Sequence, residues 1–264
     1  MDQKRLALAL IAVCVLLTGC ATAADRGGAA NDPLEPFNRR VYAFNDVFDR
    51  NIAQPVARGY NAVLPQPVNR GITNFFRNLG EVGVLVNSAL QLKPRATVIT
   101  ANRLLINTTF GIVGVFDVAR MMGARPQDED FGQTLGYWGA DAGPYLVLPF
   151  LGPSSVRDGT GRLVDGWYDP INSIDDTATL TGTTVLRVVD TRARLLGTTD
   201  LLGTAAVDPY AYTRDAWLRR RVNQIHDGDP PPEALPDTGV GQGEDDFDPF
   251  SDEDDDLFDN GAGD

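Results

Sequence analysis

Hydrophobic residues recur every three or four positions along most of the chain from residue 32 to residue 225, a spacing that predicts amphipathic helices. The first helix is predicted to begin at Asp32 as the N-cap, with Pro33 in its first turn and Glu35 three residues after the cap. Its apolar face consists of Phe37, Val41, Phe44, Phe48 and Ile52. Further helices are predicted over residues 54–63, 68–79, 81–92, 95–107, 108–122, 154–167, 184–196 and 209–225.

Residues 104–116 form a run of thirteen residues without a charge, bounded by Arg103 and Asp117. As a helix this run would extend about 20 Å, which is too short to cross a hydrocarbon layer of about 30 Å. It is therefore either the buried helix of a core or a segment sunk into one leaflet. Gly111 and Gly114 lie on one side of the run, which suggests a close backbone approach or a bend.

Residues 131–153 have a different character, with five glycines, three prolines and five aromatic residues. This composition predicts an irregular loop, in which residues 145–150 could be extended. Because no pair of strands joined by a hairpin turn is evident, the body of the chain is predicted to be all-α with one irregular Gly/Pro-rich loop.

The first twenty residues have the pattern of a bacterial lipoprotein signal. Lys4 and Arg5 precede an apolar stretch of twelve residues, which is typical of a secretory signal peptide. The stretch ends in Leu-Thr-Gly-Cys, which resembles a lipobox, so residues 1–19 are predicted to be removed and Cys20 to be acylated. Residues 20–31 would then be a short tether. Ala21 stands where an aspartate would resemble the inner-membrane retention signal, so the analogy indicates the outer membrane.

The net charge of −13 comes from the end of the chain rather than from its body. Residues 227–264 contain fifteen acidic residues and no lysine or arginine, which leaves 21 acidic and 23 basic residues in residues 1–226. Residues 32–226 are therefore predicted to be one nearly neutral helical domain, followed by a disordered acidic tail. The anchor and the tail both disfavour a nucleic-acid partner.

The residues needed for common enzyme mechanisms are largely missing. His226 is the only histidine, so a catalytic serine at Ser154 or Ser155 would depend on it. No Cys/His set for zinc and no phosphate-binding glycine loop is present, and neither a metal nor a cofactor is expected. The acidic cluster at residues 128–130 is predicted to be a solvated turn. Paired carboxylates could still perform acid–base chemistry, but an enzyme is not the expected class.

Several motifs between residues 32 and 225 resemble, in the same order, the MlaA family of outer-membrane lipoproteins. The early ones are Asp32-Pro33-Leu34-Glu35-Pro36-Phe37-Asn38-Arg39, Phe44-Asn45, Pro65-Gln66-Pro67-Val68, and Arg103 with Asn107-Thr108, Gly111, Gly114 and Asp117-Val118-Ala119. The later ones are Phe131-Gly132-Gln133-Thr134-Leu135-Gly136, Gly143-Pro144-Tyr145, Leu148-Pro149-Phe150 and Asp208-Pro209-Tyr210.

The resemblance implies a ring of short amphipathic helices that lies in the inner leaflet of the outer membrane around an amphipathic channel. Such proteins remove misplaced phospholipids from the outer leaflet and pass them to a soluble periplasmic carrier of the MlaC type, and they associate with trimeric porins. By this resemblance the channel or gate candidates are Phe44, Asn45, Asn107, Gly111, Gly114, Phe131, Gly132, Gly143, Pro144 and Tyr145. Two alternatives stay open at this point, a non-catalytic envelope scaffold and a lipid hydrolase.

Overall fold

The computed structural model describes residues 32–197 and 207–235, which are mostly helical. Cys20, the signal peptide, the tether and residues 236–264 of the predicted tail lie outside the described residues. The helices are α1 (Glu35–Phe48), α2 (Gln54–Val63), α3 (Gln66–Leu90), α4 (Pro94–Thr109), α5 (Val118–Met121), α6 (Phe131–Tyr137), α7 (Val156–Tyr168), α8 (Thr177–Arg194) and α9 (Pro209–Ile225). A π-helical turn (Asp49–Ala53) joins α1 to α2, and 3-10 turns occupy Pro170–Ser173 and Pro232–Ala234. The strands are β1 (Tyr145–Leu148) and β2 (Gly152–Ser155).

Capping residues explain where several helices begin. Helix α9 begins as predicted, because the Asp208 carboxylate accepts hydrogen bonds from the backbone N–H groups of Tyr210 and Ala211. The cap of α7 is Ser155, one residue after the predicted Ser154. Helix α8 begins seven residues before its predicted start, since Asp176 caps it ahead of a threonine-rich turn with little apolar periodicity.

Two predictions near the start of the helical body are wrong. Asp32 is not the cap of α1, which begins at Glu35; the Asp32 carboxylate instead accepts from the Asn38 side chain at 2.8 Å and from the Tyr210 hydroxyl. The helices predicted over 68–79 and 81–92 are one helix, α3, of 25 residues. Gly80 lies inside α3 and does not interrupt it, because a glycine weakens a helix by only about 1 kcal/mol.

The uncharged run is not one helix, and the helix predicted over 108–122 is confirmed only at α5. Helix α4 ends at Thr109, and the next residues form turns with positive φ at Ile112, Val113 and Gly114. The chain folds back so closely that a Cβ on Gly111 would lie 2.1 Å from the Phe116 carbonyl oxygen. Glycine at this position therefore permits a bend, which is one of the two alternatives that its position suggested.

The region predicted as an irregular loop contains a helix and a hairpin. The Asp130 carboxylate caps α6 by accepting from the Gln133 N–H. Strands β1 and β2 pair antiparallel, with Tyr145 opposite Ser155 and Leu148 opposite Gly152. The expectation that the body contains no hairpin is thus wrong. The extended segment predicted to begin at Tyr145 is confirmed as strand β1.

The polarity of the fold is reversed relative to that of a soluble protein. Among the described residues nine hydrophobic but nineteen polar or charged side chains are buried, and large apolar side chains are widely exposed. Soluble monomers show the opposite distribution and rarely expose such continuous apolar surface. The most exposed of these side chains include Val63, Leu92, Phe110, Met121, Leu163 and Trp167.

Within residues 32–197 and 207–235, no helix has the combination of length and apolar character needed to cross a membrane.

Candidate functional site

Two adjoining cavities lie between α3 and α8 and have volumes of about 320 and 590 Å³; we call them the first and the second cavity. Four residues line both, Thr73 and Arg77 from α3 and Asp190 and Arg194 from α8. The two residues of each pair are four positions apart, the spacing that places side chains on one face of a helix. The polar faces of α3 and α8 therefore form the junction of the cavities.

Asp190 is fixed at this junction by hydrogen bonds from two other helices. It is 2% exposed, and its Oδ1 accepts from the Thr73 hydroxyl at 2.8 Å and from the Tyr60 hydroxyl at 3.1 Å. Its Oδ2 lies 3.7 Å from Arg194 Nε. Burial and the negative charge of Asp190 raise the pKa of Tyr60 to about 12, so the Tyr60 hydroxyl stays protonated and continues to donate at neutral pH.

A buried arginine forms the other side of the first cavity. Arg103 is 2% exposed, and it donates to Glu81 Oε1 at 2.6 Å, to the Ala124 carbonyl at 2.6 Å and to Asp117 Oδ2 at 3.1 Å. Burial raises the pKa of Glu81, and Arg103 offsets only part of that effect. Burial opposes ionisation of Asp117 too, but the Arg120 N–H and Arg103 outweigh it and lower the pKa of Asp117.

The charged residues of the two walls give the cavities an excess of arginine. The arginines are Arg70, Arg77, Arg103, Arg120, Arg187 and Arg194, and the carboxylates are Glu81, Asp117, Asp128 and Asp190. Guanidinium groups bind phosphate and carboxylate oxygens through paired N–H donors. The walls are therefore suited to hold a polar group that carries anionic oxygens.

None of the ten channel or gate candidates from the sequence lines either cavity in the part of the chain that the structure describes. Three of them shape the turn that carries Asp117 to the second cavity. Asn107 Nδ2 donates to Asp117 Oδ1, and its Oδ1 accepts from the Ala119 N–H, both at 2.9 Å. The bend at Gly111 belongs to the same turn, and a Cβ on Gly114 would lie 2.3 Å from Asn78 Cβ.

Phe44 and Asn45 hold the turn of the β-hairpin against α1. Asn45 Nδ2 donates to the Leu148 carbonyl at 3.0 Å, and Asn45 Oδ1 accepts from the Phe150 N–H at 2.8 Å. The rings of Phe44 and Phe48 make edge contacts with the Phe150 ring, at centroid distances of 5.2 and 5.0 Å. These contacts fix the hairpin turn to helix α1.

Phe131 and Gly132 lie beside a buried ion cluster at the start of α6. The Phe131 N–H donates to Asp165 at 3.1 Å. Arg221 donates to Asp130 at 2.6 Å and to Asp158 at 2.7 Å. A Cβ on Gly132 would lie 2.4 Å from Asp158 Oδ1, so only glycine leaves room for this cluster.

The solvated turn predicted at residues 128–130 is confirmed only for the exposed Asp128, because Glu129 is buried and Asp130 is partly buried. Glu129 is 8% exposed and accepts from Gln91 at 2.7 Å and from Lys93 at 2.8 Å. Lys93 also pairs with Asp227, the first residue of the predicted tail. Distant cationic partners therefore bury carboxylates that a local pattern would leave in solvent.

The remaining three candidates lead into the hairpin. Gly143 has a φ of +67°, a conformation that favours glycine, and Pro144 is exposed in the bend that follows it. Tyr145 is 1% exposed and packs with Val147, Tyr210 and Trp217 in an aromatic cluster. These residues set the direction in which the chain enters β1.

The possible serine nucleophile is not activated by the single histidine. The Ser154 hydroxyl donates to the Ser155 carbonyl at 3.3 Å, whereas His226 Nδ1 lies 2.9 Å from the Val222 carbonyl. No hydrogen bond joins the two residues among those of the described chain. The same residues contain no group of three or more histidine, cysteine, aspartate or glutamate side chains that could hold a metal ion.

Several residues that line the cavities recur at helical spacing in the sequence, a pattern that the family motifs do not contain. Arg70, Thr73, Arg77 and Glu81 are spaced by three or four along α3, and so are Arg187, Asp190 and Arg194 along α8. Such a polar stripe on a helix that also carries a wide apolar face indicates two contacting environments. The sequence pattern does not show whether the polar face or the apolar face of such a helix points to the protein interior.

A mostly helical chain with a polar interior and an apolar surface belongs to the class of proteins that lie in lipid. The family model described as MlaA lipoprotein matches residues 30–224. The intermembrane phospholipid transport system lipoprotein MlaA of Escherichia coli (strain K12) is 38% identical over 225 residues, covering 84% of this chain and 89% of that protein. Its namesake from Haemophilus influenzae is 34% identical over 234 residues, covering 86% and 93%.

A solved structure described as the structural basis for maintenance of bacterial outer membrane lipid asymmetry has the same fold. It superposes with a TM-score of 0.66 at 35% identity and covers 74% of this chain and 98% of its own. The chain belongs to the MlaA lipoprotein family.

Proposed function

We propose that this lipoprotein moves misplaced phospholipids from the outer leaflet of the outer membrane toward the periplasm and so maintains lipid asymmetry. The observation that carries the proposal is the reversed polarity, with buried arginines and carboxylates around cavities and large apolar side chains outside. A charged headgroup cannot enter hydrocarbon cheaply. The cavities supply polar partners for the headgroup while the acyl chains stay in the surrounding lipid.

The proposed placement is a ring of amphipathic helices in the inner leaflet, held at the periplasmic face by acyl chains on Cys20. Exposed apolar side chains on α1, α2 and α4, such as Phe37, Val63 and Val98, would contact lipid tails. By the lipobox analogy Cys20 would carry two acyl chains through its sulfur and a third on its amino group, which exceeds the two membrane signals that stable anchoring requires. The short helices and the anchor together support a protein that lies in one leaflet.

The proposed chemistry is transfer without bond cleavage. Hydrolysis of a lipid ester would require an activated nucleophile, and the one candidate pair, Ser154 and His226, is bonded to backbone carbonyls instead. The arginines and carboxylates of the cavities are instead arranged to bind a charged group. This arrangement favours a transport protein over a lipid hydrolase.

The proposed partners follow from where a transported lipid must go. Acyl chains cannot cross the aqueous periplasm exposed, so a soluble carrier of the MlaC type would receive the phospholipid. A trimeric porin would hold the ring in the outer membrane. The exposed apolar residues Phe150 and Leu151 at the hairpin turn give such a partner a contact surface.

Replacing the anchoring cysteine tests the membrane part of this proposal. In a strain without the gene, phospholipid that an added phospholipase can reach on the cell surface should increase. The wild-type gene should reverse the increase, whereas Cys20→Ala should not, because the protein would lack its acyl chains. The matched control Cys14→Ala, in the predicted signal peptide, should behave as the wild type. Full restoration by Cys20→Ala, or an unmodified Cys20 in the mature protein by mass spectrometry, would refute the anchor.

A further inference from the structure

We infer that the junction of the two cavities selects phospholipids with an anionic headgroup, of the phosphatidylglycerol type, over zwitterionic ones with an ammonium group. The inference rests on the proposed function and adds to it the headgroup that the interior prefers. It starts from Arg77 and Arg194, which line both cavities. A headgroup that passes from one cavity to the other must therefore pass both guanidinium groups.

All phospholipids contain the phosphodiester, so its contact with the arginines explains why a phospholipid binds but not why one headgroup is preferred over another. Paired guanidinium N–H donors match two phosphate oxygens, which favours placing the phosphate at the junction. Selection depends on the group attached to that phosphate. An ammonium group needs a carboxylate acceptor, whereas a glycerol group does not.

The carboxylates in the walls are already committed to donors from the protein. Asp190 Oδ1 accepts from two hydroxyl groups, and Asp190 Oδ2 faces Arg194. Asp117 Oδ1 accepts from Asn107 and from the Arg120 N–H, and Asp117 Oδ2 accepts from Arg103. An ammonium group would have to displace these donors, which costs the bonds of a buried network.

The other two carboxylates offer no better site. Glu81 Oε1 is bound by Arg103, and Glu81 Oε2 has no hydrogen-bond partner but is shut off from solvent, so a headgroup cannot reach it. Asp128 is exposed and lines only the first cavity, so it does not face the junction, and its Oδ2 accepts from Arg220 and Gln224. Arg187 already pairs with Asp169 outside the cavity walls, so five arginines face four carboxylates. An anionic lipid neutralises the remaining positive charge, whereas a zwitterionic lipid adds its own cation to it.

Competition between two lipids measures this selection. Full-length acylated protein is purified in detergent and incubated with equal amounts of phosphatidylglycerol and phosphatidylethanolamine, and the retained lipids are counted by native mass spectrometry. We expect phosphatidylglycerol to exceed phosphatidylethanolamine by about tenfold, the low end of the scale for one hydrogen bond to a charged group. Arg77→Gln and Arg194→Gln should bring the ratio close to one.

Two control variants separate charge at the junction from charge elsewhere. Arg77→Lys keeps the charge and should keep part of the bias. Arg50→Gln removes an exposed arginine that pairs with Asp46 on α1, and it should leave the ratio unchanged. Equal retention of the two lipids by the wild type would overturn the headgroup preference alone. A wild-type protein that retains no phospholipid would overturn the proposed function as well.

Discussion

Deleting Phe44 and Asn45 together is expected to raise surface phospholipid even in cells that also carry the wild-type gene. A helix turns about 100° per residue, so the deletion rotates the rest of α1 by about 200°. The two hydrogen bonds between Asn45 and the hairpin turn are lost, and Phe48 leaves the Phe150 ring. Only Tyr60 and Asn61 of the cavity residues lie on α2, which follows α1 directly. The others lie on later elements and stay in place, so the path would remain while its hairpin moves.

Dominance distinguishes this account from simple loss of the fold. Lipid around the protein can solvate the displaced apolar residues, so the variant should persist in the membrane as an uncontrolled path that wild-type copies cannot close. The in-phase variant Phe44→Leu with Asn45→Ala loses the contacts without rotating the helix and should have a weaker effect. The measurement is surface phospholipid in a strain with both alleles. A recessive deletion that behaves as a null allele would reject the gated path.

Arg103→Met is expected to lower the free energy of unfolding by about 3–5 kcal/mol, the cost of removing one partner from a buried ion pair. Glu81 and Asp117 would both lose a guanidinium partner that now lies within 3.1 Å. Thermal unfolding in detergent measures the loss. Arg39→Met is the matched control, since Arg39 pairs with Asp208 at the surface, where a salt bridge contributes only about 0–1 kcal/mol.

The loss caused by Arg103→Met should become smaller as the pH falls from neutrality. Burial already raises the pKa of Glu81, and removing Arg103 raises it further. The folded variant then binds a proton that the unfolded chain does not, so its stability rises as the pH falls through that raised pKa toward the ordinary value of the unfolded chain. Subtracting the wild-type curve removes the contribution of the other carboxylates. A loss that is constant with pH would show that Glu81 is not the group left unpaired.

The sequence predicts the parts of this fold that depend on neighbours along the chain. The cap at Asp208 and the helix over residues 54–63 follow from local signals, and both are confirmed. The Gly/Pro-rich loop was predicted in the right place, but α6 and the hairpin within it were not. The hairpin turn has a positive φ at Phe150, and contacts from Asn45, 105 residues away, stabilise that turn.

The candidate site depends on contacts that no local pattern contains. Asp190 is bound by Tyr60 from 130 residues away, and Glu129 is buried by Gln91 and Lys93. From sequence alone an acidic residue is predicted to be exposed, because the distant residues that pair with it in the fold are not known. The family motifs mainly identify residues that hold turns and ion clusters in place, whereas most arginines of the cavity walls lie outside those motifs.

The most direct test of a headgroup path is to find where a bound phospholipid touches the protein. A photoreactive benzoylphenylalanine replaces Thr191, which lines the first cavity, or Val188, which is 61% exposed on the same helix. After illumination of intact cells, tandem mass spectrometry locates the crosslink on the lipid. The account predicts attachment to the glycerophosphate region from residue 191 and to the acyl chains from residue 188. Acyl-chain attachment or no lipid at residue 191, with headgroup attachment at residue 188, would contradict it.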